Sequence, residues 1–364
     1  MNRKTLIGAA IAVFISACSP GGGGPYTPPG PSASPNAPIG WPVRTAEYVD
    51  VWLHGYALIA PDTSRVPLFE RGYRARMQEV RRQRNVTTAL DANMQTLAAG
   101  FTRNPGLTGG QFAIFAFSSF DEMVRVTQLF IRNDGSPSTV NDQTTQQLFV
   151  WLRNYFPTVA DREWLRVFVM SLQEEQSKFY QSYWNATYSD RAATRTRVND
   201  LWIGTYRVKF ERFLRNQRLV DGTFIISMPL GGEGRTVTDP GLGNGIAVPF
   251  PATADSAINS IYVFAHEAVA SLTQHALVDN VTPMDQRNGV VDKLLPIATV
   301  RAGAMLLQKI APELVAGYEK YYLQHIGLTA PAGDPNATFV NAFTIPDAPR
   351  DGIQRSIDLI LAGI

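Results

Sequence analysis

Between Ser256 and Val278 the chain carries one carboxylate, Glu267, two imidazoles, His266 and His275, and no lysine, arginine or aspartate. A neighbouring imidazole and carboxylate can share a proton, polarise a water or hold a divalent cation, and each use gains strength away from bulk water. The flanking residues supply that shelter. Ile261, Phe264, Ala265, Ala268 and Leu272 return at three and four positions, while Val263, Ala270 and Leu277 line the opposite side. The spacing predicts a helix over 256–278 enclosed on most of its circumference. A lone glutamate inside such a helix is costly unless it is paired, neutralised or bound to a metal. The alternative is a hydrogen-bonded pair that serves stability alone.

His266-Glu267-Ala268-Val269-Ala270 resembles the His-Glu-x-x-His motif of the zincin metallopeptidases, in particular those whose third ligand is a glutamate. In that motif residues four apart share a helical face and can hold one ion, with the intervening glutamate reaching the metal-bound water. The resemblance implies zinc as the cofactor, His266 as a metal ligand and Glu267 as the catalytic base, but alanine stands at the second ligand position. It covers roughly residues 222–328, with a strand pair before the helix and further helices near 296–309 and 312–324. His275, nine positions from His266, would lie about 180° around a regular helix and about 13 Å along it, so it can replace the missing ligand only if the helix ends or kinks. His54 and His325 could converge on the site only through the fold. Asp285, Asp292 and Glu313 are the downstream carboxylates where the resemblance implies a third ligand.

Three functions are compatible with this pattern: a degenerate, non-catalytic zincin-like framework that binds a peptide, polymer or protein; a zinc-dependent hydrolase with a non-standard ligand set; or a structural envelope protein without a metal site. Other chemistries are weaker. His54, within Trp52-Leu53-His54-Gly55-Tyr56, reads as an aromatic-packed core histidine, and His325 as a helix-end residue. Gly231-Gly232-Glu233-Gly234-Arg235-Thr236 lacks the lysine and the following helix of a phosphate-cradling loop. Glu174-Glu175 and Asp121-Glu122 read as solvated or capping residues of helices. No Gly-x-Ser-x-Gly elbow nominates a serine nucleophile.

The elements that must position these residues are mostly helices, and the fold class expected is mainly α (α+β). Helical periodicity covers 66–84, 88–101, 142–155, 161–184, a stretch around 198–213, and 351–362. Residues 109–117 suit either a strand or a buried helical turn. Thr223–Met228 and Ile246–Phe250 read as two strands joined by a long glycine-rich loop, a small antiparallel hairpin with Pro249 favouring an edge position. These patterns divide the body into a helical region, 45–221, and a zincin-like region, 222–364.

At the N-terminus, Arg3 and Lys4 precede an apolar run that ends in Ile15-Ser16-Ala17-Cys18, and Cys18 is the single cysteine. The run falls short of the ~20 residues a membrane span needs. It resembles a bacterial lipoprotein signal peptide, residues 1–17, with its lipobox. The resemblance implies acylation of Cys18 and a lipid bilayer as partner, since two or more acyl chains hold a protein stably at a membrane. Ser19 after the cysteine favours the outer membrane of a Gram-negative cell envelope. Residues 18–44 are rich in Gly, Pro and Ser and form an expected disordered tether. Residues 1–17 contain two of the 33 basic residues and none of the 31 acidic ones, so a chain starting at Cys18 is neutral. That balance argues against nucleic acid as a partner, and a lone acylated thiol leaves no cysteine nucleophile.

Overall fold

The computed structural model describes residues 39–61, 65–239 and 243–364. Cys18, the remainder of the lipobox and most of the tether lie outside the described residues. The fold is mainly helical, with one small four-stranded sheet. Among the described residues no helix is long and apolar enough to cross a membrane.

The sheet is mixed, in the order β1-β2-β4-β3, with β1 at Val43–Arg44, β2 at Thr223–Ser227, β3 at Arg235–Asp239 and β4 at Gly243–Pro249. Both strands read from the sequence are present, but they run parallel to each other. The antiparallel partner of β4 is β3, which forms from the end of the glycine-rich segment. Pro249 therefore sits on an interior strand rather than an edge strand. It is tolerated because β3 pairs only as far as Arg235 opposite Ala247, so no neighbour on that side seeks an N–H from residue 249.

The sheet is the middle layer between two cores. Phe224, Ile226, Ile246 and Val248 face one of them, together with Trp41, Trp202, Phe264, Leu306 and Tyr322. Ile225 and Ala247 face the other, with Trp52, Leu165, Phe168 and Leu172. Alternation along a strand sends successive side chains to opposite faces. A strand covered on both sides must accordingly be apolar throughout, as Phe-Ile-Ile in β2 is. Helices Ala192–Leu201 and Arg207–Asn216 supply Val198, Phe210 and Phe213 to the same core as the C-terminal helices. The packing boundary thus lies upstream of the sequence boundary drawn at residue 222.

The long periodic stretches are interrupted helices. Val159–Glu175 passes through a π-turn at Gln176–Tyr180 into Gln181–Asp190, and Ala192–Leu201 passes through Trp202–Tyr206 into Arg207–Asn216. A π-turn adds a residue to the ladder and rotates the buried stripe. Residues 109–117, ambiguous in sequence, fall almost wholly within a 3₁₀ segment, Pro105–Ala116.

Candidate functional site

Glu267 lies in helix Ile258–Ala268, directly beneath the start of β3. The residue is 6 % exposed, and its carboxylate is held on both oxygens. The Gly234 backbone N–H donates to Oε1 at 3.0 Å, the Thr236 hydroxyl donates to Oε2 at 2.9 Å, and His266 Nδ1 lies 3.0 Å from Oε1. Burial pushes this carboxyl up. The hydrogen bond and charge of His266, the Arg235 guanidinium and the Thr236 hydroxyl outweigh it, so the group is held below its ordinary value and stays ionised. Glycine is required at 234 by space: a Cβ there would stand 2.3 Å from the Ala247 carbonyl oxygen and 2.7 Å from Glu267 Cγ. The backbone can approach the carboxylate only because nothing projects from that position.

His266 is 4 % exposed, and its ring stacks on Tyr322 of helix Val315–His325 with centroids 5.5 Å apart. An ionised Glu267 only accepts hydrogen bonds, so the network assigns the proton to Nδ1. The other ring nitrogen, Nε2, is buried without a hydrogen-bond partner. Glu233 is close enough to feel both residues. Burial pushes its carboxyl up, with Arg235 and His266 opposing and Glu267 reinforcing.

Helix Ile258–Ala268 stops where the motif should continue. Val269, at φ −100° and ψ −2°, separates it from a second helix, Ala270–Asn280. The single enclosed helix expected over 256–278 is therefore two helices preceded by a short 3₁₀ turn, Ala254–Ser256. The Thr236 hydroxyl, which donates to Oε2, also lies 3.3 Å from the Glu267 carbonyl oxygen at the break. Ala270 opens the second helix, and His275 on that helix is exposed.

The remaining candidates are dispersed. Asp285 caps its own short helix through Thr282, Asp292 is exposed near the start of helix Val290–Ile310, and Glu313 pairs with Lys209 at 2.5 Å. His325 packs on Tyr321, its Nδ1 2.9 Å from the Tyr321 carbonyl, and burial lowers its basicity. Among the described residues no three His, Cys, Asp or Glu side chains are placed to hold one metal ion. A catalytic zinc normally has three protein ligands. Here one imidazole nitrogen is free, the glutamate is occupied by three donors, and a methyl group holds the second ligand position. This donor set does not fit such a zinc.

His54 belongs to a separate buried network in the helical half. From helix Glu47–Ile59 its Nε2 reaches Glu175 Oε1 at 3.0 Å and its Nδ1 reaches the Tyr73 hydroxyl at 3.0 Å. Arg81 donates to both Glu175 oxygens, at 3.1 and 3.0 Å, and through Nη2 to Asp91 at 2.6 Å. Thr88 adds a further donor to Glu175. Glu175 is 0 % exposed, which corrects its reading as a solvated residue; Glu174, paired with Lys178, keeps that reading. Burial pushes Glu175 up, but His54, Arg81 and Thr88 outweigh it, and its carboxyl is held below the usual range. Burial lowers the His54 imidazole, so a neutral ring donates from Nε2 to Glu175 and accepts the Tyr73 hydroxyl at Nδ1. Gly55, next in sequence, lets this helix press on Val159–Glu175: a Cβ would meet Leu172 Cδ2 at 2.6 Å.

Sequence reasoning missed Arg81, Glu175, Thr236 and Asp50. The last is fully buried, accepts the Trp184 indole N–H at 2.8 Å, and has its carboxyl pushed up to about 7 by burial. One signal was present for Glu175, which sits three residues after Leu172 and four before Phe179, on the buried stripe. No family model, no curated protein and no solved structure matches the chain.

Proposed function

We propose that the chain is a lipid-tethered protein of the cell envelope whose C-terminal region is a zincin-like framework used for binding rather than hydrolysis. The observation that carries this reading is the state of Glu267. A catalytic base must be free to take a proton from water, whereas this carboxylate is held by Gly234, Thr236 and His266. It ties β3 to the helix beneath it. The matching ligand position is Ala270, beyond a helix break.

What remains for recognition is β3, one of the two outer strands of the sheet, which borders this buried cluster. An outer strand offers backbone donors and acceptors to an extended chain, so a peptide segment is the class of ligand that suits it. The tether would hold that strand outside the membrane.

The test is made on the full chain purified in detergent, measuring zinc per protein and hydrolysis of a mixed peptide library by the native protein and by Glu267→Gln. The expected result is zinc well below one per chain and no cleavage that depends on Glu267. Near-stoichiometric zinc with a rate abolished by the substitution would overturn the proposal. It would favour a second reading, a hydrolase with unusual ligands, whose support is the buried, unpartnered Nε2 of His266 beside Glu233.

A further inference from the structure

A small cleft of about 160 Å³ opens among the C-terminal helices. Arg301 and Gln308 line it from helix Val290–Ile310, Glu319 from Val315–His325, Asn336 and Phe339 from Asn336–Ala342, and Gln354 from Asp347–Ala362. Two opposite charges share this space without meeting. The Arg301 guanidinium lies over the Phe339 ring at 5.7 Å, and its Nη1 is buried with no hydrogen-bond partner. Glu319 is 2 % exposed, and its Oε1 accepts the Asn336 amide at 2.8 Å. Each feels the other's field, yet they form no ion pair.

An unpaired charge in a sheltered place is unfavourable, and two opposite ones nearby would normally close on each other. Here each is fixed elsewhere: the guanidinium by an aromatic face, the carboxylate by an amide. Both side chains line the cleft. Burial lowers Arg301 and raises Glu319, the direction expected of two charges that lack full compensation. Arg350, itself paired with Asp347 and Asp351, also lowers Arg301 through its charge.

We propose that this cleft binds a small zwitterion, an α-amino acid with a short side chain, with its carboxylate on Arg301 and its ammonium on Glu319. Such a molecule supplies both missing partners at once. A guanidinium matches a carboxylate through paired N–H donors, and an ammonium gives three donors to a buried carboxylate. The volume admits a side chain no larger than a few heavy atoms. Gln308 and Gln354 also line the cleft. The site is independent of Glu267 and extends the binding role proposed above to a second, small-molecule ligand.

The experiment is calorimetric titration of the full chain in detergent with glycine and L-alanine, beside acetate and propionate, which carry only the anion, and methylamine and ethylamine, which carry only the cation. Saturable one-to-one binding of the amino acids is expected, at least tenfold tighter than either single-charge series. Arg301→Gln and Glu319→Gln should each weaken binding at least tenfold while the unliganded melting temperature shows that they fold. Absence of saturable binding to both amino acids overturns the proposal. So does propionate binding as tightly as alanine, which would make this a simple anion site. Because the wild-type series decides alone, the proposal stays falsifiable even if a variant fails to fold.

Discussion

At Glu267 three donors converge on one carboxylate, from the residue beside it, from Gly234 just before β3 and from Thr236 within it. Hydrogen bonds to an ionised acceptor contribute about 1.5–3 kcal/mol each, and a buried donor left unpaired is penalised in addition. Glu267→Gln keeps the shape but turns an N–H₂ toward groups that need an acceptor. The substitution should lower unfolding free energy by roughly 2–3 kcal/mol, read as a drop in urea midpoint at constant m. Thr236→Val, which removes one donor, should couple with it. A double-mutant cycle is expected to give an interaction energy of about 1 kcal/mol, whereas additive effects would mean that the Thr236 bond contributes nothing. The pairing of His266 with Glu267 was legible in their adjacency and apolar surroundings. Gly234 and Thr236 were not, because a contact across 31 to 33 residues depends on how β3 folds back, and nothing in Gly-Gly-Glu-Gly announces a carboxylate beneath it.

At the level of elements, Asp50 joins helix Glu47–Ile59 to the far end of the π-interrupted helix through Trp184 and stands beside Ser227 at the end of β2. Burial raises its carboxyl from 3.8 to about 7, so the folded protein holds the proton where the unfolded chain has released it. Stability from this group is fully present below pH 4 and is lost as pH rises toward 7. Glu175 and Glu267, held below the usual range, act oppositely and only under acid conditions. His54, lowered by burial, destabilises the fold when protonated below its ordinary value. Comparing Asp50→Asn with the native protein cancels the shared terms. Urea unfolding at pH 5, 6, 7 and 8 should show the variant gaining relative stability with pH, by on the order of a few kcal/mol at pH 8. A constant difference across that range would mean that Asp50 is ionised in the fold throughout. The helices themselves were largely readable from periodicity, as Gln143–Tyr155 against an expected 142–155 illustrates. Their interruptions were not, because a π-turn adds one residue and the stop at Val269 occupies one, too little for an apolar period read over one or two turns to register. Proline at 249 also misled, since edge and interior positions differ only in how far the neighbouring strand extends.

Over the whole molecule the sheet decides how the parts depend on one another. A helical half and a C-terminal half were apparent from the change of texture near Gly222, and that change suggested two successive regions. Two strands, β2 and β4, serve both cores: Ile225 and Ala247 complete one, and Phe224, Ile226, Ile246 and Val248 complete the other. Neither half can lose its packing without exposing one face of β2 and β4, which are apolar on both sides. Helices Ala192–Leu201 and Arg207–Asn216 strengthen the dependence, since the chain enters the second core before it forms β2. The described body should therefore unfold in one cooperative step despite its length and its two cores. Leu165→Ala, deep in the helical half, and Leu306→Ala, deep in the C-terminal half, leave cavities that each cost about 2–5 kcal/mol. Both should move a single transition, seen identically by far-ultraviolet circular dichroism and by tryptophan fluorescence, because Trp52 and Trp164 report one core and Trp41 and Trp202 the other. Two separable transitions, each shifted by only one of the substitutions, would show that β2 and β4 can stay packed on one side alone.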